Sequence, residues 1–401
     1  MFNDWWKGVS EQLPQLREQL TEQINQTLAP WLPSLVEEVK VGKHHLRILR
    51  KLGEGGYSFV YLAEETLPET SLASTPPTSG IHISPQPRKY ALKKVLAGEK
   101  EQLALAEREI LVMKRELPKH PNLLPLIESQ VVKAETYVVY MLFPLMETNV
   151  WDYVQDRLKS NLPLSTLEAT HIFSKLCHAL HAMHSTGPGQ TVALSHRDVK
   201  PHNILLSTQK PLPPELLVET SKSSSSVKMD RTGADADDAA HLIVTASASS
   251  SSQQKQPRLP HAVLMDFGSV APAEVQITSR TDALVAQEDA ERRTTAPYRA
   301  PELWDVPSSC TIDTKVDIWA AGCVLYYLLV GESPFERTAE AGGSLMLAIV
   351  NGQWSWPAGI EQKYPKELRD LVDICLKSDP AERPSAAELL EMIQNMKSLT
   401  I

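Results

Sequence analysis

The chain has 401 residues, of which 42% are hydrophobic and 22% are charged, and its formal net charge is −9. These values are typical of a globular protein with one large core or two smaller ones, and the negative charge argues against generic nucleic-acid binding, which requires a basic surface. The four cysteines are scattered without a CxxC pair, so we expect neither a disulfide framework nor a structural zinc, and a reducing compartment fits best.

Residues 1–44 are predicted to form a separate amphipathic helical segment without a secretory signal or a lipidation site. Its apolar residues recur at steps of three and four, which places them on one face of a helix. They are Trp5, Val9, Leu13, Leu16, Leu20, Ile24, Leu28 and Trp31. Three interpretations stay open: the helix packs on the main domain, binds a partner protein, or lies at a membrane surface as an interfacial anchor. No apolar run in the chain is long enough to span a bilayer.

Strand patterns dominate the next part of the chain, and helical patterns dominate the remainder. The predicted strands are Leu46–Leu52, Ser58–Ala63, Tyr90–Val95, Leu124–Ser129 and Thr136–Phe143, with a helix at Glu101–Leu117. Because strands and helices are segregated along the chain, the pattern predicts two lobes of different class.

Two inserts interrupt this pattern. The first, at about 66–88, is rich in proline, serine and threonine and is predicted to be a loop. The second, at about 207–260, has serine clusters and an acidic run at Asp235–Asp238, a composition that predicts disorder. It separates the strand-like pieces Ile204–Leu206 and Ala262–Met265, so we expect a hairpin with a very long tip.

A glycine-rich segment joins the first two predicted strands. In order it contains Leu52, Gly53, Glu54, Gly55, Gly56, Tyr57, Ser58, Phe59 and Val60. Glycines allow the backbone to approach a polyphosphate and to point N–H groups at it. Ser58 replaces the third glycine of the usual pattern, and an ordinary glycine hairpin is the alternative interpretation.

The strand after the first insert contains two lysines. Lys93 shares a strand face with apolar neighbours and is predicted to point inward, whereas Lys94 points outward. A buried lysine needs a carboxylate partner, and the following helix offers Glu107 and Glu109. We favour Glu109 because it leads the apolar pattern of that helix, although either glutamate is also plausible as a solvated charge.

The segment SHRDVKPHNILL, which ends at Leu206, contains the residues most suggestive of chemistry. Phosphoryl transfer needs a carboxylate to orient the attacking hydroxyl, a cation on the transferred phosphate and an oxygen ligand for Mg²⁺. Asp198, Lys200 and Asn203 supply these three groups. Asp266, in the string MDFG after another strand, offers a second oxygen ligand of the kind that Mg²⁺ prefers.

Taken in order, the glycine-rich segment, ALKK, HRDVKPHN and DFG resemble the motif set of eukaryotic protein kinases, apart from the inserts. The resemblance implies a kinase domain at 45–397 of α+β class with two lobes. These would be an antiparallel β-sheet lobe with one helix at 45–143 and a mainly helical lobe at 146–397. It also implies ATP and Mg²⁺ as cofactors and proteins as substrates. Lys93, held by Glu109, would align the ATP phosphates.

Later motifs extend the resemblance. The string YRAPE, which ends at Glu302, resembles the end of the activation segment, and Asp317 begins a stretch that resembles the buried helix of the large lobe. Arg383 resembles the arginine that pairs with the glutamate of that ending, which implies an Arg383–Glu302 ion pair. Lys200 is typical of serine/threonine kinases, and Thr295 stands where they place a threonine against the catalytic aspartate and lysine.

The strings GEGGYSFVYL, MDFGS and YRAPELWDV are similar to the Numb-associated kinase group, and most similar to its branch of the myristoylated and palmitoylated serine/threonine kinase. That resemblance implies a cytoplasmic kinase associated with Golgi or other endomembranes, with a role in membrane trafficking or secretory-pathway signalling. The acylation signals of that branch are absent from this sequence. The segment 1–44 is therefore the candidate for a peripheral membrane or partner contact.

Alignment with the kinase family also predicts the adenine pocket. Leu142 would be the gatekeeper, and backbone groups of Phe143 and Leu145 in the hinge would contact adenine. Val60 and Ala91 would cover the ring. Each of these residues is also plausible as an ordinary core residue.

Hydroxyls between the DFG motif and Glu302 are candidate regulatory sites. They are Ser269, Thr278, Ser279, Thr281, Thr294 and Thr295. A phosphate on one of them would pair with Arg197 and order the segment, whereas a helical stretch at about Ala283–Arg292 would order it without phosphate.

Two other functional classes are alternatives to an active protein kinase. A pseudokinase scaffold is favoured only by Ser58 in the glycine-rich segment. A small-molecule kinase on the same fold is disfavoured by the activation-segment ending and by the helix that begins at Asp317.

Overall fold

The computed structural model describes residues 37–66, 87–186, 192–208, 259–337 and 343–396. Residues 1–36, with the apolar stripe of the predicted helical segment, lie outside the described residues, as do 67–86 and 209–258 of the two inserts. In the described part, a β-sheet with one helix precedes a mainly helical region, which confirms the predicted α+β class.

The first lobe is a six-stranded sheet in the order β1-β2-β3-β4-β6-β5, and all neighbouring strands are antiparallel. Its elements are β1 (Glu38–Val41), β2 (His44–Gly55), β3 (Ser58–Glu65), β4 (Lys89–Ala97), α1 (Lys100–Leu111), β5 (Glu128–Lys133) and β6 (Tyr137–Pro144). A π-helical turn at Val112–Glu116 follows α1. One face of this sheet contains a small core of its own, which includes Leu46, Leu92 and Leu142.

The second lobe is built around one buried helix. Its elements are β7 (Thr148–Asn149), α2 (Val150–Lys159), α3 (Thr166–His184), β8 (Leu194–Ser195), β9 (Ile204–Ser207), β10 (His261–Leu264), β11 (Ala271–Pro272), β12 (Val275–Ile277), α4 (Arg280–Arg293), β13 (Cys310–Ile312), α5 (Lys315–Val330), α6 (Leu345–Val350), α7 (Ile360–Lys363), α8 (Lys366–Cys375) and α9 (Ala386–Gln394). Every residue of α5 from Val316 to Leu329 is buried. A helix that is apolar on all sides belongs in the centre of a core, and α3 and α8 pack against it.

The end of the predicted helical segment 1–44 is wrong, because residues 38–41 form strand β1. Val41 is fully buried and pairs with His44 of β2. Gly42 makes the tight turn between the two strands at a φ of +57°, a conformation that glycine adopts without strain. The sheet therefore begins before residue 45.

The predicted strand Leu124–Ser129 is also misplaced, since β5 begins only at Glu128. Leu123 and Leu124 are buried, and their backbone is bonded to the second lobe instead of to the sheet. The Leu124 N–H donates to Leu264 O over 2.9 Å, and the Leu264 N–H donates to Asn122 O over 2.8 Å. An apolar run alone does not distinguish a sheet strand from a segment that connects two cores.

The hairpin predicted on either side of the long insert is confirmed. β9 and β10 are antiparallel, with Ile204 opposite Leu264 and Ser207 opposite His261. Both strands contribute buried residues to the main core. The hairpin therefore fixes the residues at its base, Asn203 and Asp266, on neighbouring strand ends.

Candidate active site

An ion pair joins the sheet to α1 at one end of the site. Lys93 Nζ lies 2.8 Å from both carboxylate oxygens of Glu109, which is 7% exposed. The predicted choice of Glu109 as the partner is confirmed, and Glu107 is exposed. Burial alone would lower the pKa of Lys93, but the charges of Glu109 and Asp266 outweigh it and hold that pKa above its ordinary value.

The glycine-rich segment is the hairpin between β2 and β3. Gly53 pairs with Val60, and Gly55 pairs with Ser58. A Cβ built on Gly53 or Gly56 would meet no atom within 4 Å, so these glycines do not serve packing against the described residues. The space beside this backbone is open, which agrees with a phosphate-binding role.

The register of β4 against β6 corrects the predicted gatekeeper. Lys93 lies opposite Met141, and Ala91 lies opposite Phe143. Residues directly opposite each other share a face of the sheet, so Phe143 is on the lysine side. Leu142 points to the other face, where it is fully buried in the small core of the sheet. Leu142 therefore does not lie on the lysine side of the sheet, and Phe143, one residue further along the strand, is the candidate gatekeeper in its place.

Asp198 is surrounded by hydrogen-bonding partners. Lys200 Nζ lies 2.8 Å from Asp198 Oδ2 and 2.8 Å from Thr295 Oγ1. Thr295 donates to Asp198 Oδ1 from its hydroxyl over 2.6 Å and from its N–H over 3.0 Å. The predicted contact of this threonine with both catalytic-loop residues is confirmed.

Asn203 is held by the same aspartate. Its Nδ2 donates to the backbone oxygen of Asp198 over 2.8 Å and to Asp198 Oδ2 over 3.1 Å. This fixes the amide so that Oδ1 is the atom left to act as a ligand. The Met265 N–H donates to Asn203 O over 2.9 Å, which ties the end of β10 to this loop and brings Asp266 beside it.

A second carboxylate, Asp317 at the start of α5, organises the backbone before Asp198. Its oxygens accept hydrogen bonds from His184 Nε2 (2.9 Å), Ser195 Oγ (3.0 Å) and the N–H groups of His196 (2.7 Å) and Arg197 (2.8 Å). Burial would raise the pKa of Asp317, but the hydrogen bond and charge of His184, followed by His196, outweigh burial and lower this pKa to about 2.

Two site residues have left-handed backbone conformations, with φ of +72° at Arg197 and +67° at Asp266. A residue with a Cβ adopts this region only where the surroundings enforce it, and such residues cluster at functional sites. At Arg197 the enforcing contact is the hydrogen bond from its N–H to Asp317. At Asp266 the flanking Met265 and Phe267 are fixed by His196, whose Nε2 lies 3.1 Å from Met265 O and whose ring packs edge-on against Phe267.

The segment between the DFG motif and Glu302 is ordered by internal hydrogen bonds. Thr294 Oγ1 donates to Ala290 O in α4 and accepts from Arg299 Nε, both over 2.7 Å. Arg299 also stacks on the ring of Trp304, with 4.3 Å from its guanidinium carbon to the ring centroid. Ser269 donates to Arg293 O over 2.8 Å. The predicted helical stretch is confirmed as α4, and these hydrogen bonds join the segment to that helix.

The Arg197 side chain borders a cavity of about 370 Å³ beneath α4. Its Nε and Nη2 atoms are buried and have no hydrogen-bond partner in the described structure. Burial lowers the pKa of Arg197, and Asp317 and Asp289 oppose this effect from a distance. The geometry leaves room for an anion at Arg197, so the predicted phosphate contact stays a prediction.

The predicted ion pair of the large lobe is confirmed. Arg383 Nη1 and Nη2 lie 2.8 Å from the two carboxylate oxygens of Glu302. The arginine side chain is fully buried and lies over the ring of Trp319 at 5.0 Å. The pair thereby fixes the end of the activation segment to the helical core.

His184, which completes the hydrogen bonding of Asp317, was not predicted from the sequence. No spacing signal connects two residues that are 133 positions apart, and a lone histidine in a helix carries no indication of its partner. Ser195 had no predicted role either, although it begins the segment SHRDVKPHNILL. The His184 contact arises only when α3 packs beside α5, and the Ser195 contact arises only when β8 lies beside the start of α5.

Comparisons with known proteins agree with this geometry. The chain matches the protein kinase domain family over residues 80–216 and 253–393, more than half of its length. It is 30% identical over 362 residues to serine/threonine-protein kinase ENV7 of Saccharomyces cerevisiae, with 89% of this chain and 93% of the relative covered.

Two further relatives have similar coverage. Serine/threonine-protein kinase 16 of Homo sapiens is 28% identical over 351 residues, with 87% of this chain and 89% of the relative covered. Serine/threonine-protein kinase ppk13 of Schizosaccharomyces pombe is 27% identical over 390 residues, with 92% and 95% covered. Since the family match and the full-length relatives agree, the chain belongs to the protein kinase family and is a serine/threonine protein kinase.

Proposed function

We propose that this kinase is catalytically active and that Asp198 orients the substrate hydroxyl that attacks the γ-phosphate of ATP. The observation that supports this most is the hydrogen-bonded group of Asp198, Lys200, Thr295 and Asn203, in which every contact is 3.1 Å or shorter. A scaffold that had lost the chemistry would not need this group. The buried pairing of Arg383 with Glu302 favours a protein substrate, because it fixes the segment that borders such a substrate.

ATP binds at the end of the site that the sheet forms. Lys93, held by Glu109, contacts the α- and β-phosphates, and the glycine-rich hairpin covers them with backbone N–H groups. Val60 and Ala91 lie above the adenine ring, and the hinge lies at the edge of the ring. With Phe143 as gatekeeper, the adenine contacts shift from Phe143 and Leu145 to the hinge residues that follow Phe143. The Pro144 carbonyl and the Met146 N–H are then the first candidates.

The metal end of the site is assigned to Asn203 and Asp266. An amide oxygen and a carboxylate are ligands that fit Mg²⁺, which keeps several water and phosphate oxygens and does not need a cage of protein ligands. The strand ends of β9 and β10 position both residues from one hairpin. Bound there, Mg²⁺ would offset the negative charge of the phosphates.

Catalysis then consists of positioning and electrostatic stabilisation. Asp198 accepts a hydrogen bond from the substrate hydroxyl and takes its proton as the new P–O bond forms. The leaving β-phosphate oxygen separates in line on the opposite side. Lys200 exchanges one of its present contacts for the transferred phosphoryl group and offsets its charge. The enzyme's own hydroxyls, including Thr281, are within the class of groups that it phosphorylates, so autophosphorylation is included in the proposal.

We further propose a cytoplasmic kinase that acts at the surface of secretory-pathway membranes. The support is the resemblance of its motifs to the Numb-associated group, a placement that stays a prediction. Within the described residues no helix has the length and apolarity to cross a bilayer. The apolar stripe and the tryptophans of residues 1–36 make that segment the candidate for membrane contact.

The first prediction concerns Asp198. Replacing it with asparagine keeps the shape of the side chain but removes the proton acceptor, so phosphate transfer to a serine peptide should fall by about 10²- to 10⁴-fold. The matched control is Asp370→Asn, which changes a half-buried carboxylate of α8 that forms an ion pair with Lys366. The measurement is γ-phosphate transfer from Mg·ATP by the full chain. Equal rates in Asp198→Asn and wild type would refute the assignment.

The second prediction separates the two glutamates of α1. Glu109→Gln leaves Lys93 without its charge partner, so kcat/KM for ATP should fall by about 10- to 100-fold. Glu107→Gln is the matched control, because Glu107 is exposed on the same helix and should behave as wild type. Similar losses in both variants would show that α1 is merely sensitive to charge.

The third prediction concerns the N-terminal segment. The full chain should co-sediment with vesicles that contain anionic phospholipid, and Trp5→Ser combined with Trp6→Ser should reduce the bound fraction severalfold. Leu162→Ser, at an exposed apolar residue of the second lobe, is the control and should bind as wild type does. A wild-type chain that stays in the supernatant would rule out direct membrane binding.

A further inference from the structure

A cavity of about 360 Å³ lies where the end of α3, strand β11 and the segment before α5 meet. Its apolar wall includes Ala193, Pro272 and Ala273, and its polar wall includes His184, Glu274 and Asp313. A cavity of this size with apolar walls and a few polar groups is typical of a site for a small molecule. The reaction proposed above does not use it.

Backbone pairing holds the apolar wall in place. Pro272 of β11 lies opposite Leu194 of β8, and the Ala273 N–H donates to Ala193 O over 2.9 Å. Strand β8 ends at Ser195, immediately before His196 and the catalytic loop. The cavity therefore shares a wall with the segment that leads into the active site.

Two carboxylates meet at the cavity because of the register of β12 and β13. Val275 lies opposite Ile312, and Gln276 lies opposite Thr311. Glu274 precedes Val275 and Asp313 follows Ile312, so the two acidic residues are neighbours at the same end of this antiparallel pair. Like charges at such positions repel each other, and a cation between them would relieve the repulsion.

The described part of the chain supplies no such cation. No lysine or arginine lines the cavity there, and neither Glu274 nor Asp313 forms an ion pair with a described residue. Asp313 Oδ1 accepts a hydrogen bond from the Lys315 N–H over 2.8 Å. The Lys315 side chain is directed elsewhere, since its Nζ donates to Arg383 O.

His184 adds a hydrogen-bond acceptor to the polar wall. Its side chain is only 9% exposed, and its Nε2 lies 2.9 Å from Asp317 Oδ2. An ionised carboxylate only accepts, so Nε2 carries the ring proton, and Nδ1 of the neutral ring is an acceptor. This Nδ1 has no hydrogen-bond partner among the described residues, although a polar atom of a side chain so deeply buried normally has one.

We propose that this cavity binds a small aliphatic diamine or polyamine. Its ammonium groups pair with the carboxylates of Glu274 and Asp313, and one of its N–H groups donates to His184 Nδ1. The methylene chain contacts the apolar wall. Because the bound amine keeps the ring proton of His184 on Nε2, the hydrogen bond from His184 to Asp317 is held in place, and the site is coupled to the catalytic loop.

The test is the binding of 1,4-diaminobutane and of spermidine to the full chain, measured by isothermal titration calorimetry at pH 7. Two analogues of the diamine are the controls. 1,4-Butanediol keeps the chain length without charge, and 1,4-bis(trimethylammonio)butane keeps both charges without N–H donors. Both amines should bind saturably, with one ligand per chain, and at least about tenfold more tightly than either analogue.

The same titrations with variants locate the site. Glu274→Gln and Asp313→Asn should each weaken binding by about three- to fivefold, as expected for one solvent-accessible ion pair. Asparagine at 313 keeps an oxygen to accept from the Lys315 N–H. The matched control is Asp305→Asn, which removes one negative charge from an exposed residue that does not line the cavity, and it should bind as wild type does.

Three outcomes would overturn this proposal. One is the absence of saturable amine binding to the wild-type chain. Another is equally tight binding of the bis-quaternary analogue, since this would indicate attraction to the negative net charge without hydrogen bonds. A third is a loss of affinity in Asp305→Asn as large as in the two cavity variants, or no loss in any of them, which would place the amine elsewhere on the surface.

Discussion

The carboxylate of Asp317 is the fixed point on which the catalytic loop depends. It is almost completely buried, yet it stays ionised because donors converge on both of its oxygens. Two of these donors are the consecutive N–H groups of His196 and Arg197, so the carboxylate determines where the backbone turns. The left-handed conformation of Arg197 is strained, and the hydrogen bond from its N–H to Asp317 offsets that strain. A buried charge without these donors would be strongly destabilising.

The remaining contacts extend from this point to both lobes. Asp198 follows this turn and binds Lys200 and Thr295. Because Thr295 belongs to the activation segment, this one aspartate joins that segment to the catalytic loop. The loop is joined in turn to β10, where Asp266 faces the Lys93–Glu109 pair closely enough to affect the pKa of both. The site is thus a continuous set of charges whose positions are determined by α1, α5 and the β9–β10 hairpin.

The chemistry of the site could be predicted from the sequence because its residues lie in short motifs. Asp198, Lys200 and Asn203 of HRDVKPHN lie within six consecutive positions, so the contacts among them are local. The Lys93–Glu109 pair was also predictable, since strand alternation and helix periodicity both indicate which residues point inward. The Arg383–Glu302 pair spans 81 positions and was predicted only because the family resemblance relates the two motifs.

Features that depend on packing could not be predicted. The side of β6 that Leu142 occupies follows from the register against β4, and a run of apolar residues buried on both faces carries no alternation to reveal it. Strand β1 is too short to give a periodic signal in the sequence. It forms because its backbone pairs with the edge of β2. The contact of His184 with Asp317 and the cavity beside it bring together residues from different elements, so only the folded chain shows them.

The most direct test of the role of Asp317 is its contribution to the free energy of unfolding as a function of pH. The pKa of Asp317 is about 2 in the folded state against 3.8 ordinarily, so its ionised form stabilises the fold above about pH 4, and this stabilisation is lost as pH falls towards 2. The difference between wild type and Asp317→Asn in the free energy of chemical unfolding should shrink by about 1 kcal/mol between pH 5 and pH 3. A difference that is absent at pH 7, or that does not change down to pH 3, would contradict the central role of this carboxylate.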